Sequence, residues 1–177
     1  MSEKVLFVLT PNYRDEEFYI PYNMIKDTDY QIDVAGLEKD EISGTKEHKF
    51  TPNLLFDNLT NENFEEYEAL VIPGGPGSTT YIWGNKKLQN AIRYFHDHGK
   101  IVAAICYGSI APVEAGILEG KEGTVSPTDE AKKIFEECKV IFVDKGVVTL
   151  EEEKIITSQG PKFCKEFGQA IIDLLKK

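Results

Sequence analysis

A chain of 177 residues with 41% hydrophobic content has enough apolar surface for one substantial core. It contains no long Pro/Gly/Ser linker, so residues 1–177 are expected to form a single domain. The formal net charge of −10 opposes nucleic-acid and anionic-membrane partners, because both require a positive surface.

The chain opens on Lys4–Leu9, a short unbroken apolar run of the kind found in a strand buried on both faces of a parallel sheet. A polar loop, Thr10–Asp15, leads into Glu16–Lys26. Apolar residues at Phe18, Ile20, Tyr22, Met24 and Ile25 predict a helix there, with Pro21 in its first turn or kinking it. Gln31–Leu37 predicts a strand. Glu41–Leu59, with Gly44 and Pro52, predicts short strands or hairpins at a sheet edge. Asn61–Glu68 reads as a capped acidic helical turn, and Ala69–Ile72 as a buried strand running into Pro73-Gly74-Gly75-Pro76-Gly77.

Helical spacing at Leu88, Ile92 and Phe95 predicts a helix over Asn85–His98, capped by Gly99. Lys100–Cys106 is the next buried strand. Helices are expected over Ser109–Ala115 and Asp129–Cys138, and strands over Val140–Val143, Val147–Leu150 and Lys154–Thr157. The last element, Pro161–Leu175, starts with proline in its first turn and carries an apolar stripe through Phe163, Phe167, Ile171 and Leu174. Strands alternating with helices imply an α/β sandwich with a mostly parallel sheet. The longest apolar runs are too short to span a bilayer and no signal pattern opens the chain, so a soluble, cytoplasmic protein is expected. Cys106, Cys138 and Cys164 are an odd number at wide spacing with no CxxC, which suggests neither a disulfide framework nor a metal site.

The most informative segment is Lys100–Pro112. An apolar, β-branched stretch stops at Cys106, and a small-residue stretch follows at once, with Ala104 and Gly108 flanking the thiol. This is the pattern of a nucleophile elbow, in which a sharp strand-to-helix turn lifts the side chain from the backbone. The positive end of the following helix is then expected to favour thiolate over thiol, lowering the pKa from its ordinary ~8.5. A buried structural cysteine fits the same segment equally well. In open α/β sheets functional groups gather beyond the carboxyl ends of the strands. Three segments meet that condition: the acidic run Asp15-Glu16-Glu17, the loop with Gly74 and Gly75, and the Cys106 turn. Gly75 and the N–H of Tyr107 could together form an oxyanion hole beside the sulfur. Taken alone, the glycine run reads as a tight turn and the acidic run as a helix N-terminus.

Together these segments resemble the ThiJ/PfpI superfamily, which includes intracellular PfpI-type peptidases and the human parkinsonism-associated deglycase. The matching residues are the Lys-Val-Leu-Phe-Val-Leu strand, the acidic run before Pro21, Val-Ile-Pro-Gly-Gly, Ala-Ala-Ile-Cys-x-Gly and Thr157-Ser-Gln-Gly-Pro161. The resemblance covers nearly the whole chain. It implies a flavodoxin-like three-layer α/β/α sandwich related to class I glutamine amidotransferase domains, in a homodimer or higher homo-oligomer. It also implies Cys106 as the reactive, easily oxidised cysteine, Glu17 as the carboxyl group that hydrogen-bonds the sulfur, and Gly75 and Tyr107 as oxyanion-hole donors.

The departures from the family pattern constrain function. Peptidase-like members place a histidine directly after the cysteine, where this chain has Tyr107. Deglycase-like members place a histidine before the proline, where this chain has Ser126, and an arginine where it has Gln159. With Gly74 and Ser126 lining the pocket, the resemblance implies thiolate addition to a small carbonyl compound, as in glyoxalase III or deglycase activity, with no cofactor and no metal. The alternative is a redox-sensing stress protein whose Cys106 meets an oxidant. A peptidase comes last because no base adjoins the cysteine. His48, His96 and His98 read as surface residues of a hairpin and a helix end.

Overall fold

The computed structural model describes residues 3–177. Its centre is a seven-stranded sheet in the order β10-β11-β7-β6-β1-β2-β5. These strands are β1 (Lys4–Leu9), β2 (Gln31–Gly36), β5 (Leu54–Leu55), β6 (Tyr67–Ile72), β7 (Ile101–Ile105), β10 (Val147–Leu150) and β11 (Ile155–Ser158). All neighbouring pairs are parallel except β10 with β11.

The strands read as unbroken apolar runs because alternate side chains enter two separate cores. Leu6, Val8, Leu70, Ile72, Val102 and Ala104 pack on one face beneath α2 (Asn61–Phe64), α4 (Lys86–Asp97), α5 (Ile110–Glu114) and α6 (Asp129–Glu137). Val5, Phe7, Leu9, Val71, Ala103 and Ile105 pack on the other beneath α1 (Asp15–Lys26) and α7 (Cys164–Leu175). The expected three-layer α/β/α sandwich is the fold found. No helix among the described residues is long and apolar enough to cross a membrane.

Several boundaries differ from expectation. Helix α2 stops at Phe64, and β6 begins at Tyr67, two residues before the predicted start at Ala69. Tyr67 belongs to the strand because its ring is buried and its hydroxyl donates to Asp33 Oδ2 at 2.6 Å on β2. The segment 41–59 forms a hairpin of β3 (Ile42–Ser43) and β4 (Lys49–Phe50), separate from the main sheet, followed by the edge strand β5. The predicted strand Val140–Val143 shrinks to β9 (Ile141–Phe142) and pairs with an unexpected β8 (Glu122–Gly123) outside the main sheet. A short helix α3 (Ser78–Tyr81) follows the glycine loop and was not expected either. Pro21 lies inside α1 rather than in its first turn, which deprives the Glu17 carbonyl of its helical donor.

Candidate active site

The carboxyl ends of β1, β6 and β7 bring three loops together, and direct backbone contacts fix their spacing. The N–H of Arg14 donates to the Gly74 carbonyl at 3.1 Å, and that of Gly77 to the Asn12 carbonyl at 3.2 Å. Gly75 adopts φ +112°, and a Cβ there would stand 2.3 Å from the Arg14 nitrogen. Only glycine supplies both that backbone angle and that clearance. At Gly74 a Cβ would lie 2.5 Å from the Ile105 carbonyl oxygen and 3.0 Å from Cys106 Cβ, so the glycine loop sits directly against the cysteine turn.

Cys106 itself has φ +59°, in the left-handed region that non-glycine residues rarely occupy. Such a conformation costs on the order of 1–3 kcal/mol and persists only where its surroundings impose it. Here they do: β7 is fully buried up to Ile105, and the Tyr107 carbonyl beyond the turn is held by the Trp83 indole N–H at 2.9 Å. The chain runs from Cys106 through a single 3₁₀ turn, Cys106–Ser109, before α5 begins at Ile110.

The first turn of α1 delivers the carboxyl group. Glu17 is fully buried, and its Oε1 accepts the Gly74 N–H at 3.2 Å. Oε2 has no partner of regular hydrogen-bond geometry, although the Cys106 thiol is close enough to pull the Glu17 pKa down. Burial outweighs that pull, and the carboxyl is pushed up to about 8. The Cys106 thiol is also pushed up, first by burial and then by the charge of Glu17. The Tyr107 and Gly75 amides and the Ser126 hydroxyl offset this only in part. The lowered thiol pKa expected from the sequence is therefore corrected. The helix after the turn is only five residues long and starts four residues on, so its dipole is weak at the sulfur, and burial beside a second acid dominates.

A cleft of roughly 210 Å³ opens over the sulfur, lined by Arg14, Glu17, Gly75, Pro76, Cys106, Tyr107, Ser126 and Pro161. Five of the six residues singled out in the sequence line it. The sixth, Gly74, acts from below by holding Glu17. A groove of roughly 1040 Å³ between α2 and α4 is larger, but its lining contains no cysteine and no buried acid, so size alone does not mark the site. None of the three histidines reaches the cleft. His48 is half-buried rather than a plain surface residue, with Nδ1 2.7 Å from the Tyr13 hydroxyl. His96 is also half-buried, with Nδ1 enclosed and unpartnered, whereas His98 is exposed and its Nδ1 lies 2.8 Å from the Tyr94 carbonyl. Sequence reading missed Arg14 and Trp83. The available signal for Arg14 was a lone cation directly before an acidic run.

The arrangement sets the Cys106 sulfur beside the buried Glu17 carboxyl, with the Tyr107 and Gly75 amides and the Ser126 hydroxyl facing the sulfur. A deglycase of Pyrococcus horikoshii is 34% identical over 173 residues, covering 98% of this chain and 99% of its own. A protein/nucleic acid deglycase of Escherichia coli is 27% identical and covers 99% of both chains. The crystal structure of a ThiJ/PfpI domain protein from Brachyspira murdochii superimposes with a TM-score of 0.89 at 25% identity, over 99% of this chain and 97% of that one. The DJ-1/PfpI family model matches residues 3–174, and the chain belongs to that family.

Proposed function

We infer that this protein is a cysteine-dependent enzyme acting on small reactive carbonyl compounds, of the glyoxalase or deglycase type. The observation that carries the reading is the buried Glu17 carboxyl beside a cysteine held at φ +59° under an open cleft. The names of the deglycase relatives support the same class.

Burial disfavours ionisation of the Cys106 thiol, so activation falls to the neighbouring Glu17 carboxyl in its ionised form, which gains population as pH rises through about 8. Glu17 takes the thiol proton as the sulfur electron pair bonds to the carbonyl carbon. The C=O π pair moves to oxygen, where the Gly75 and Tyr107 amides receive it, and Glu17 returns the proton to give a hemithioacetal. For a 2-oxoaldehyde, Glu17 then moves a proton from C1 to C2 while the C1 hydroxyl proton passes to the C2 oxygen, producing a 2-hydroxy thioester. Water hydrolyses that thioester to a 2-hydroxy acid, with no external oxidant. Tyr107 in place of histidine does not interrupt this path, and the absence of a lining histidine disfavours the peptidase alternative. Cys106→Ser is expected to lose methylglyoxal turnover by at least about a hundredfold while keeping its circular dichroism spectrum. Turnover equal to wild type would end this reading.

A second reading, oxidation sensing, is favoured by the amides of Tyr107 and Gly75 and the Ser126 hydroxyl that face the sulfur. They could hold oxygens added to it. One peroxide oxidises the thiol to sulfenic acid with loss of water, and a second gives sulfinic acid. Mild peroxide should modify Cys106 before Cys138 and Cys164 in peptide mass spectra. Indiscriminate oxidation would exclude this reading.

A further inference from the structure

Arg14 is the one cation lining the cleft among the described residues, and its surroundings leave its charge available. Its Nε donates to Glu16 Oε1 at 3.0 Å, while the other carboxylate oxygen of Glu16 receives Lys46 Nζ at 3.2 Å. Glu16 is thus shared between two cations, and the trio keeps one net positive charge. Among the described residues, neither Nη atom of Arg14 donates to a protein group, and the side chain is 37% exposed. The backbone beneath it is fixed by the bond from the Arg14 N–H to Gly74, so the guanidinium is oriented at both ends of the residue. Its charge senses Glu16 first, through the hydrogen bond, and also Glu17 and Cys106 inside the cleft. In a chain of net charge −10, a free guanidinium fork at the mouth of a cysteine cleft is out of keeping with the rest of the surface.

We propose that Arg14 is the specificity-determining residue of this cleft and that the substrate is a small carbonyl compound bearing a carboxylate close to the reacting carbon. This deepens the function proposed above and rests on it for the reaction, though not for the binding. The two unused Nη groups suit a carboxylate in planar, two-point contact. A space of roughly 210 Å³ limits the rest of the molecule to a few heavy atoms. On addition, the sulfur pair forms the C–S bond and the carbonyl π pair moves to oxygen and is protonated. The substrate carboxylate stays ionised against Arg14 throughout.

The test uses alkylation of Cys106 by two reagents of nearly equal size, iodoacetate and neutral iodoacetamide. In each the thiolate pair forms a C–S bond and iodide leaves with the C–I pair, so the ratio of rates cancels any change in thiol ionisation. Arg14→Gln should lower the iodoacetate-to-iodoacetamide ratio at Cys106 about tenfold or more, the loss typical of a charged contact. Arg14→Lys, which keeps the charge but not the two-point fork, should retain only part of it. Glyoxylate should slow iodoacetamide labelling of the wild type more than glycolaldehyde does, and Arg14→Gln should erase that preference. An unchanged ratio in Arg14→Gln would overturn the proposal even if methylglyoxal were consumed. A ratio that falls in a protein unable to turn over methylglyoxal would uphold anion selection and remove only the reaction proposed above.

Discussion

Glu17→Gln is expected to yield a protein that is more stable than wild type above about pH 5 and nearly inactive. Burial raises the Glu17 pKa in the folded protein to about 8, against about 4.3 in the unfolded chain. Below pH 4 both states hold the proton and the two proteins should unfold alike. As pH rises from 4 to 8 the unfolded chain releases the proton while the folded protein keeps it, so wild-type stability falls across this window. The full difference is on the order of 4–5 kcal/mol. Glutamine is neutral throughout and its amide oxygen can still accept the Gly74 N–H, so the variant escapes the loss. Urea unfolding of both proteins at pH 4 and pH 8 measures this directly, and parallel stability curves would refute it. In turnover the sign reverses. Glu17 must be ionised to accept the thiol proton, so kcat/KM for methylglyoxal should climb with pH through about 8. That limb should vanish in Glu17→Gln, with a rate loss of about 10²–10⁴ for a missing general base.

Gly74→Ala should be strongly damaging, because the added methyl group falls between the glycine loop and the Cys106 turn. The new carbon would meet the Ile105 carbonyl oxygen at 2.5 Å, the Gly108 nitrogen at 2.9 Å and Cys106 Cβ at 3.0 Å. Two of these are backbone atoms of the turn and the third is the root of the reactive side chain, so no flexible group can yield. Either the turn opens or the glycine loop retreats and takes the donor to Glu17 with it. A stability loss of about 1–3 kcal/mol is expected from overpacking. Methylglyoxal turnover should fall by about a hundredfold, because nucleophile and base lose their alignment together. Near-normal turnover would show that the approach of the two loops is unimportant to the chemistry.

The central strands were legible because burial on both faces turns each into an apolar block, and α4 and α7 because one stripe of each is apolar. Strand β8 and helix α3 were not legible, and β9 was expected two residues too long. Two- and four-residue elements carry no periodicity, and Gly123 pairs with Phe142 only because the surrounding fold delivers them. The Cys106 turn could be read from the switch between β-branched and small residues. The direction of its pKa could not, since helix polarity pointed one way and burial, a property of the folded state, pointed the other. Arg14 was only partly visible: its place before the acidic run put it near the Cys106 turn, but its position on the cleft wall and its unused Nη groups are set by the fold.

The central claim is that Cys106 itself bonds to the carbonyl substrate, with Glu17 carrying the proton. Acid-quenched single turnover with methylglyoxal, followed by peptide mass mapping, observes that bond. The account predicts a transient thioester adduct on the peptide containing Cys106, absent from those containing Cys138 and Cys164 and failing to accumulate in Glu17→Gln. Turnover that proceeds with no adduct, or with the adduct on another cysteine, would contradict it.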